Sequence, residues 1–330
     1  MMNKLFIFLC ICSNCSAQAT YPTIGRIERY DSSINIILSP NAKAEVISTG
    51  FDWSEGPLWI EKQNMLLFSD VPRNTIYQWT EKKGTAVYLT PSGYTDSSKR
   101  GGETGSNGLL LDPGNNLVLC QHGDRRMAKM IAPVNRPAPK FLSIAGTWQG
   151  KRFNSPNDAV YNSQGELFFT DPPYGLEKGM TDPKKEIPFQ GVYKVKSSGE
   201  VILITDTLTR PNGIAFFPGD KTFIVANSDG QKPNWYAFGI NANNEVGNGR
   251  IFYSAAGYDR SWKGGMDGLK IDRQGNVFAT GPGGIWIFNS SGKLLGKLRL
   301  DEAASNCALS ADEKTLYITN DMQVLRFKMR

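Results

Sequence analysis

The sequence predicts an all-β protein, a six-bladed β-propeller of four-stranded blades, and three observations favour this fold. One sequence motif recurs six times: Asn, Asp or Glu, followed by an apolar run, a polar turn and a second apolar run. Two further strand-like segments follow most copies, and no stretch shows convincing helical periodicity. Four short strands every 40 to 55 residues are typical of a propeller blade. Six copies therefore predict six blades.

Each copy begins with one acidic or amide residue, which we call its head residue. The six head residues are Glu55, Asn107, Asn157, Asn212, Asp267 and Asn306, with spacings of 52, 50, 55, 55 and 39 residues. The first strand of each blade in a propeller lines the central channel. The head residues are therefore expected to converge on the axis at one face, and the ends of the second strands are expected to surround them.

The two ends of the chain predict how the ring closes. After Asn306 the sequence supplies only three strands before it ends at Arg330, whereas "AEVIST", ahead of Glu55, is a strand without a blade of its own. We expect this N-terminal strand to complete the last blade and so to hide sheet edges that would otherwise promote aggregation. Residues 20–330 are predicted to form a single domain.

Residues 1–19 are typical of a secretory signal peptide. Lys4 precedes an apolar run, Leu5–Ile11, and Ala17–Ala19 reads as a small-x-small cleavage site. A cysteine in this segment as a lipid-attachment site is the alternative, but none has the expected small residues before it. No other apolar stretch approaches the roughly 18 residues of a membrane helix. The expected location is secreted or periplasmic.

Composition and charge exclude several classes of protein. The formal net charge of +6 over 330 residues is scattered, so nucleic acid is not an expected partner. After signal cleavage only Cys120 and Cys307 would remain, which excludes a disulfide framework and favours small buried apolar residues. The single histidine, His122, excludes zinc and iron sites built from several histidines.

The head residues predict a metal site. Carboxylates and carboxamides around a narrow axis are costly to bury unless a cation lies among them. Oxygen donors without imidazole or thiolate favour Ca²⁺, and Mg²⁺, Mn²⁺ or Zn²⁺ could substitute. The alternative is that Asn or Asp before Gly only forms a turn. That alternative explains any single position, but it accounts poorly for Glu55.

Five motifs carry a resemblance to a known family. They are "SEGPLW", "RFNSPNDAV", "FFTDPPYGL", "RPNGIAF" and "GMDGLKID". Over residues 51–326 the chain resembles the gluconolactonase branch of the senescence marker protein and gluconolactonase family. The resemblance implies a six-bladed propeller with one catalytic divalent metal, usually calcium. Matched motif by motif, it implies that Glu55, Asn157, Asn212 and Asp267 hold that metal.

The expected activity is hydrolysis of a small sugar lactone. A divalent metal would polarise the lactone carbonyl while a carboxylate activates water. We predict Asp267 as the general base, with Glu55 as the second choice. A nucleophilic serine is disfavoured because the sequence has no G-x-S-x-G motif and only one histidine.

Further residues are expected near the substrate. The predicted substrate-binding residues are Asn107, His122, Arg125 and Asn306. The alternative for His122 is that it only shapes its loop. Three aromatic residues are expected either to stack on a sugar ring or to pack between blades: Trp148, Phe153 and Tyr174.

Two other functions remain open from the sequence. One is hydrolysis of aryl esters or organophosphates on the same metal. The other is a non-catalytic propeller that binds a ligand and uses calcium as a structural plug. Loops such as 92–105 and 175–189 are expected to decide the substrate.

Overall fold

The computed structural model describes residues 20–330 and confirms the six-bladed β-propeller. Six antiparallel sheets of four or five strands form the blades. The innermost strand of each blade contacts the innermost strands of both neighbours, and the last returns to the first, so the ring is closed. The predicted signal peptide, residues 1–19, lies outside the described residues.

The strands follow the repeat along the chain. The segment before the first blade contains β1 (Thr23–Ile24), β2 (Arg26–Arg29), the one-turn helix α1 (Ile34–Ile37) and β3 (Ala44–Thr49). Blade 1 contains β4 (Ser54–Ile60), β5 (Met65–Asp70), β6 (Thr75–Thr80) and β7 (Gly84–Leu89). Blade 2 contains β8 (Ser106–Leu111), β9 (Leu117–Gln121), β10 (Arg126–Met130) and β11 (Phe141–Ala145). A two-stranded ribbon follows, β12 (Thr147–Trp148) and β13 (Lys151–Arg152).

The second half repeats this arrangement. Blade 3 contains β14 (Ala159–Tyr161), β15 (Leu167–Asp171), β16 (Gly191–Val195) and β17 (Val201–Thr205). Blade 4 contains β18 (Pro211–Phe216), β19 (Thr222–Asn227), β20 (Asn234–Gly239) and β21 (Arg250–Ser254). Blade 5 contains β22 (Leu269–Ile271), β23 (Val277–Gly281), β24 (Gly284–Phe288) and β25 (Leu294–Arg299). Blade 6 contains β26 (Ala304–Leu309), β27 (Thr315–Asn320) and β28 (Gln323–Lys328). Single 3-10 turns lie at Glu61–Gln63 and Gly179–Thr181. No helix within residues 20–330 has the length and apolar character needed to cross a membrane.

The N-terminal segment closes the ring as predicted. Strand β3 pairs antiparallel with β28 and supplies the fourth strand of blade 6, with Val46 opposite Leu325. Two more strands were not predicted: β1 pairs outside β3, and β2 adds a fifth strand to blade 5. Ion pairs reinforce both edges, with Arg326 Nε 2.6 Å from a Glu45 oxygen and Arg299 Nε 2.8 Å from a Glu28 oxygen. One segment therefore ties blades 5 and 6 together.

Apolar side chains of adjacent blades pack against each other. Between blades 6 and 1, the Trp59 and Tyr317 rings stack with their centroids 5.0 Å apart. Cys120 and Cys307 are free and buried in two different interblade clusters. This confirms the expectation that both cysteines are small buried apolar residues.

Deletion through Ser48 should prevent stable folding. It removes most of β3 together with the buried Ile34, Leu38 and Ile47, and each such loss from a core costs about 2–5 kcal/mol. We expect aggregation, or a melting temperature lower by more than about 10 °C. The comparison is with a chain that begins at Thr20, followed by calorimetry and size-exclusion chromatography. Equal melting temperatures for the two chains would contradict closure by β3.

Candidate functional site

A cavity of about 340 Å³ opens at the face where the innermost strands begin. Five of the six head residues line it: Glu55, Asn107, Asn157, Asn212 and Asp267. The structure therefore brings together the four residues that the resemblance assigns to a metal. Asn107, predicted to face the substrate, also lines this cavity.

The glycines that follow the head residues let the blades approach closely. Gly213 N donates to the Asp267 carbonyl oxygen at 3.1 Å, and a Cβ on Gly213 would lie 2.3 Å from that oxygen. Gly56 has a φ of +51°, and a Cβ there would lie 2.0 Å from the Asn107 carbonyl oxygen. Any other residue at either position would clash with the neighbouring backbone. Glycine after Glu55 and Asn212 therefore lets the neighbouring blades approach closely, whereas Asp158 follows Asn157.

The ends of the second strands hold the loops before the head residues. The Asp171 carboxylate accepts hydrogen bonds from the backbone N–H groups of Asn154 and Ser155, both at 2.8 Å. Asp70 accepts from the N–H groups of Asp52 and Trp53 in the same way, at 3.2 and 3.3 Å. These contacts fix the backbone two and three residues before Asn157 and Glu55. The second strands thus position the head residues.

Within residues 20–330, two carboxamide oxygens in the cavity wall have no hydrogen-bond partner. Asn212 is 3% exposed; its Nδ2 donates to Ser228 Oγ at 2.9 Å, and that hydroxyl donates to the Met266 carbonyl at 2.7 Å. These two hydrogen bonds fix the orientation of the Asn212 amide. Within residues 20–330 its Oδ1 has no hydrogen-bond partner, and neither has Oδ1 of Asn107. An unsatisfied buried acceptor costs about 1–3 kcal/mol. A cation would remove that cost.

The two carboxyl groups that belong to head residues of the cavity have raised pKa values. Burial raises the pKa of Glu55, with Asp158 and Glu103 adding to the shift. Burial also raises the pKa of Asp267, with Glu55 as the next cause. Both shifts show that negative charge is unfavourable here, and a cation would reverse that preference.

The donor set fits a hard divalent cation. Within residues 20–330 no cluster of three or more His, Cys, Asp and Glu side chains is placed to hold a metal. A cation in this cavity would therefore depend on carboxamide oxygens as well as on Glu55 and Asp267. Oxygen ligands of this kind suit Ca²⁺ better than zinc or copper.

The sixth head residue, Asn306, which was predicted to bind substrate, does not line the cavity. Its Oδ1 accepts from the Cys307 backbone N–H at 2.8 Å and lies 3.5 Å from Lys270 Nζ. Lys270 Nζ also lies 3.8 Å from Asp158 Oδ2. The Asn306 oxygen therefore lies beside the Lys270 ammonium group. The same ammonium group partly offsets the charge of Asp158.

Arg125, also predicted to bind substrate, lies outside the cavity. Its side chain is 5% exposed, and its guanidinium donates to the carbonyl oxygens of Arg152, Phe153 and Lys184. These three acceptors use the donors that a substrate would need. Arg125 therefore anchors the loops around blade 3.

His122 is fully buried and does not line the cavity. Its Nδ1 lies 3.2 Å from Oε2 of Glu103, which does line the cavity. Sequence reasoning missed Glu103 because it lies in a loop outside the repeat, although that loop was expected to decide the substrate.

Aromatic residues divide between the cavity and the interblade packing. Tyr174 lines the cavity, as do Trp53 and Tyr258, which were not predicted. Trp148 and Phe153 pack instead in the cluster between blades 2 and 3.

Comparisons with known proteins agree with this fold. Residues 53–321 match the sequence family described as SMP-30/Gluconolactonase/LRE-like region. The chain is 35% identical to a gluconolactonase of Zymomonas mobilis over 314 residues, which cover 93% of this chain and 87% of that protein. It is similar to the structure of a gluconolactonase from Xanthomonas campestris, with a TM-score of 0.79 and 26% identity over 94% of this chain and 98% of that chain. A calcium-binding regucalcin from Agrobacterium tumefaciens shares the fold, with a TM-score of 0.66 and 16% identity over 85% and 92% of the two chains.

Proposed function

Because the chain belongs to the SMP-30/gluconolactonase/LRE-like family, we propose that it is a metal-dependent hydrolase that opens sugar lactones. The observation that carries the proposal is one cavity lined by two carboxylates, Glu55 and Asp267, and by buried carboxamides with unpartnered oxygens at Asn107 and Asn212. The similarity to gluconolactonases supports the substrate class. The proposed metal ligands are Glu55, Asn157, Asn212 and Asp267, and the proposed metal is Ca²⁺.

The chemistry that a bound divalent cation supplies is polarisation of the lactone carbonyl and stabilisation of the negative charge that develops on its oxygen. The protein residues then have separate tasks. Asn212 is held rigidly through Ser228 and Met266, so its oxygen is oriented before any ligand arrives. Glu55 accepts the Gly56 N–H at 2.9 Å, which fixes one carboxylate oxygen.

Asp267 is better placed than Glu55 to act as the general base. Glu55 is 1% exposed, whereas Asp267 is only partly buried and is reached from the cavity. Asp267 would take a proton from the attacking water while the water oxygen forms a bond to the carbonyl carbon. That proton would return to the ring oxygen when the ring C–O bond breaks. Neither step needs a nucleophilic side chain.

A substrate panel tests the function. Aldonolactones, an aryl ester and an organophosphate are assayed before and after chelation with EDTA, and then after addition of Ca²⁺, Mg²⁺, Mn²⁺ or Zn²⁺. We expect hydrolysis of aldonolactones to fall at least about 100-fold on chelation, because charge stabilisation of several kcal/mol is lost, and to return with Ca²⁺.

The control is the spontaneous ring opening of each lactone in buffer, which is subtracted. Faster turnover of the aryl ester or the organophosphate than of every aldonolactone would contradict the substrate class. Full activity in EDTA, with no metal left in the protein, would contradict the metal requirement.

A further inference from the structure

One carboxylate at the cavity has no part in the proposed metal set. Glu103 lies in the loop between blades 1 and 2, ahead of β8, and its side chain is 34% exposed. It lines the same cavity as Glu55 and Asp267. Within residues 20–330 it nevertheless belongs to no group of three or more His, Cys, Asp or Glu side chains that could hold a metal.

The loop that carries Glu103 is fixed at two points. Asn74 Oδ1 accepts hydrogen bonds from the backbone N–H groups of Gly93 and Tyr94, at 2.7 and 3.1 Å. Further along, the Arg100 guanidinium donates to the carbonyl oxygens of Gly123, at 2.9 Å, and of Gly175. The loop is thereby attached to its own blade and to the loops of blades 2 and 3. Glu103 is consequently presented from a defined backbone.

A buried histidine lies behind the Glu103 carboxylate. The fully buried His122 places Nδ1 3.2 Å from Glu103 Oε2, and neither ring nitrogen has a hydrogen-bond partner within residues 20–330. Gly175 covers the imidazole so closely that a Cβ there would lie 2.6 Å from His122 Cβ. A side chain at position 175 would press on His122 and disturb this contact. The Oε2 atom of Glu103 faces His122 Nδ1, which leaves Oε1 available to a ligand.

The surroundings of Glu103 suit a polyhydroxylated ring. The aromatic side chains of Trp53, Tyr174 and Tyr258 line the same cavity and offer flat apolar surfaces to the C–H faces of a sugar. An ionised carboxylate is a pure acceptor, and its hydrogen bonds are stronger than those of neutral groups. Hydroxyl groups are the donors that a sugar lactone has in number.

We infer that Glu103, positioned by His122 and by the Arg100 anchor, binds hydroxyl groups of the substrate and selects polyhydroxylated lactones over plain ones. The inference rests on the proposed function, because it concerns the same cavity. Glu103 is a substrate-binding residue here, and His122 and Arg100 are positioning residues.

The test compares Glu103→Gln and Glu103→Ala on two substrates, glucono-δ-lactone and the hydroxyl-free δ-valerolactone. For gluconolactone we expect KM to rise about 10- to 100-fold, the range for losing one charged hydrogen bond, with kcat within about 3-fold. For δ-valerolactone both constants should stay within about 3-fold. His122→Gln should show the same selective rise in KM, but a smaller one.

The matched control is Glu81→Gln, a carboxylate with 45% side-chain exposure that does not line the cavity; its KM should not change. Calorimetry provides readouts without turnover. Glu103→Gln should bind Ca²⁺ as the wild type does, but should bind gluconolactam, a lactam that resists hydrolysis, at least about 10-fold more weakly.

Three results would overturn the inference. An equal fall in kcat on both lactones would make Glu103 a general base. A loss of Ca²⁺ affinity would make it a metal ligand. Unchanged gluconolactam binding would show that Glu103 does not bind the substrate. If the wild type opens neither lactone, the proposed function fails, and gluconolactam binding alone then decides the role of Glu103.

Discussion

In Glu55→Gln, the metal-free protein is expected to become more stable while its affinity for Ca²⁺ falls at least about 100-fold. The carboxylate of Glu55 is 1% exposed, and burial together with Asp158 and Glu103 raises its pKa. Gln keeps the shape and an acceptor for the Gly56 N–H, but it removes the charge. Changes to residues behind metal ligands already cost 10- to 100-fold in affinity, so loss of a charged ligand should cost at least the upper value.

The gain in stability should depend on pH with a defined sign. Above the ordinary glutamate pKa of 4.5, the unfolded chain releases a proton that folded Glu55 retains. Raising the pH through this range therefore destabilises the metal-free wild type, by up to about 1.4 kcal/mol per pH unit for this one group. Glu55→Gln should remove that part of the decline. Thermal unfolding in EDTA between pH 5 and 8.5 measures the decline, and calorimetry measures Ca²⁺ binding.

A second buried glutamate provides the control. Glu166 in blade 3 is 7% exposed and lies 3.4 Å from Lys194 Nζ. Burial alone would raise the pKa of Glu166, but hydrogen bonds from Asn162 and Asn244 and the charge of Lys194 lower it overall. Glu166→Gln should therefore lower stability near neutral pH and leave Ca²⁺ binding unchanged. The cation site would be contradicted if both variants changed the stability of the metal-free protein in the same direction. Full Ca²⁺ affinity in Glu55→Gln would contradict it as well.

The convergence of the head residues could be predicted because it depends on the repeat. A residue that precedes the innermost strand of a blade must lie near the axis, so the spacing of Glu55, Asn157, Asn212 and Asp267 was sufficient to gather them. The closure by β3 could be predicted for a similar reason. The last blade had only three strands in the sequence, and one strand before the first blade belonged to no blade.

The positions of Arg125, Asn306 and Glu103 relative to the cavity depend on contacts that no spacing reveals. Arg125 was predicted at the site because it follows a second strand, but backbone carbonyls of two loops, at residues 152–153 and 184, bind its guanidinium. Asn306 obeys the repeat, yet Lys270 and the Cys307 backbone take up its carboxamide oxygen. Glu103 reaches the cavity from a loop of irregular sequence that Arg100 attaches to Gly123.

Comparison of Asp267→Asn with Asn212→Asp is expected to separate the general base from the metal ligands. Asp267→Asn keeps the size and one carbonyl oxygen but loses the charge and the basic group. Its Ca²⁺ affinity should fall, and lactone hydrolysis should stay at least about 100-fold down even at saturating Ca²⁺, the usual scale for losing a general base. Asn212→Asp keeps an oxygen ligand and adds charge, so it should hold the cation well and lose less activity.

The decisive measurement is kcat at Ca²⁺ concentrations that saturate each variant, with occupancy checked by calorimetry. Saturating Ca²⁺ compensates by mass action for the loss of a side chain that only binds the cation. It does not compensate for the loss of a general base. Both roles are proposed for Asp267, because it is a head residue like Glu55 and yet remains partly exposed to the cavity. Full recovery of turnover in Asp267→Asn at saturating Ca²⁺ would reduce Asp267 to a ligand and transfer the base to Glu55. Unchanged Ca²⁺ affinity in both variants would remove the cation site itself, since no ligand set containing these two side chains could be indifferent to a change of charge at either.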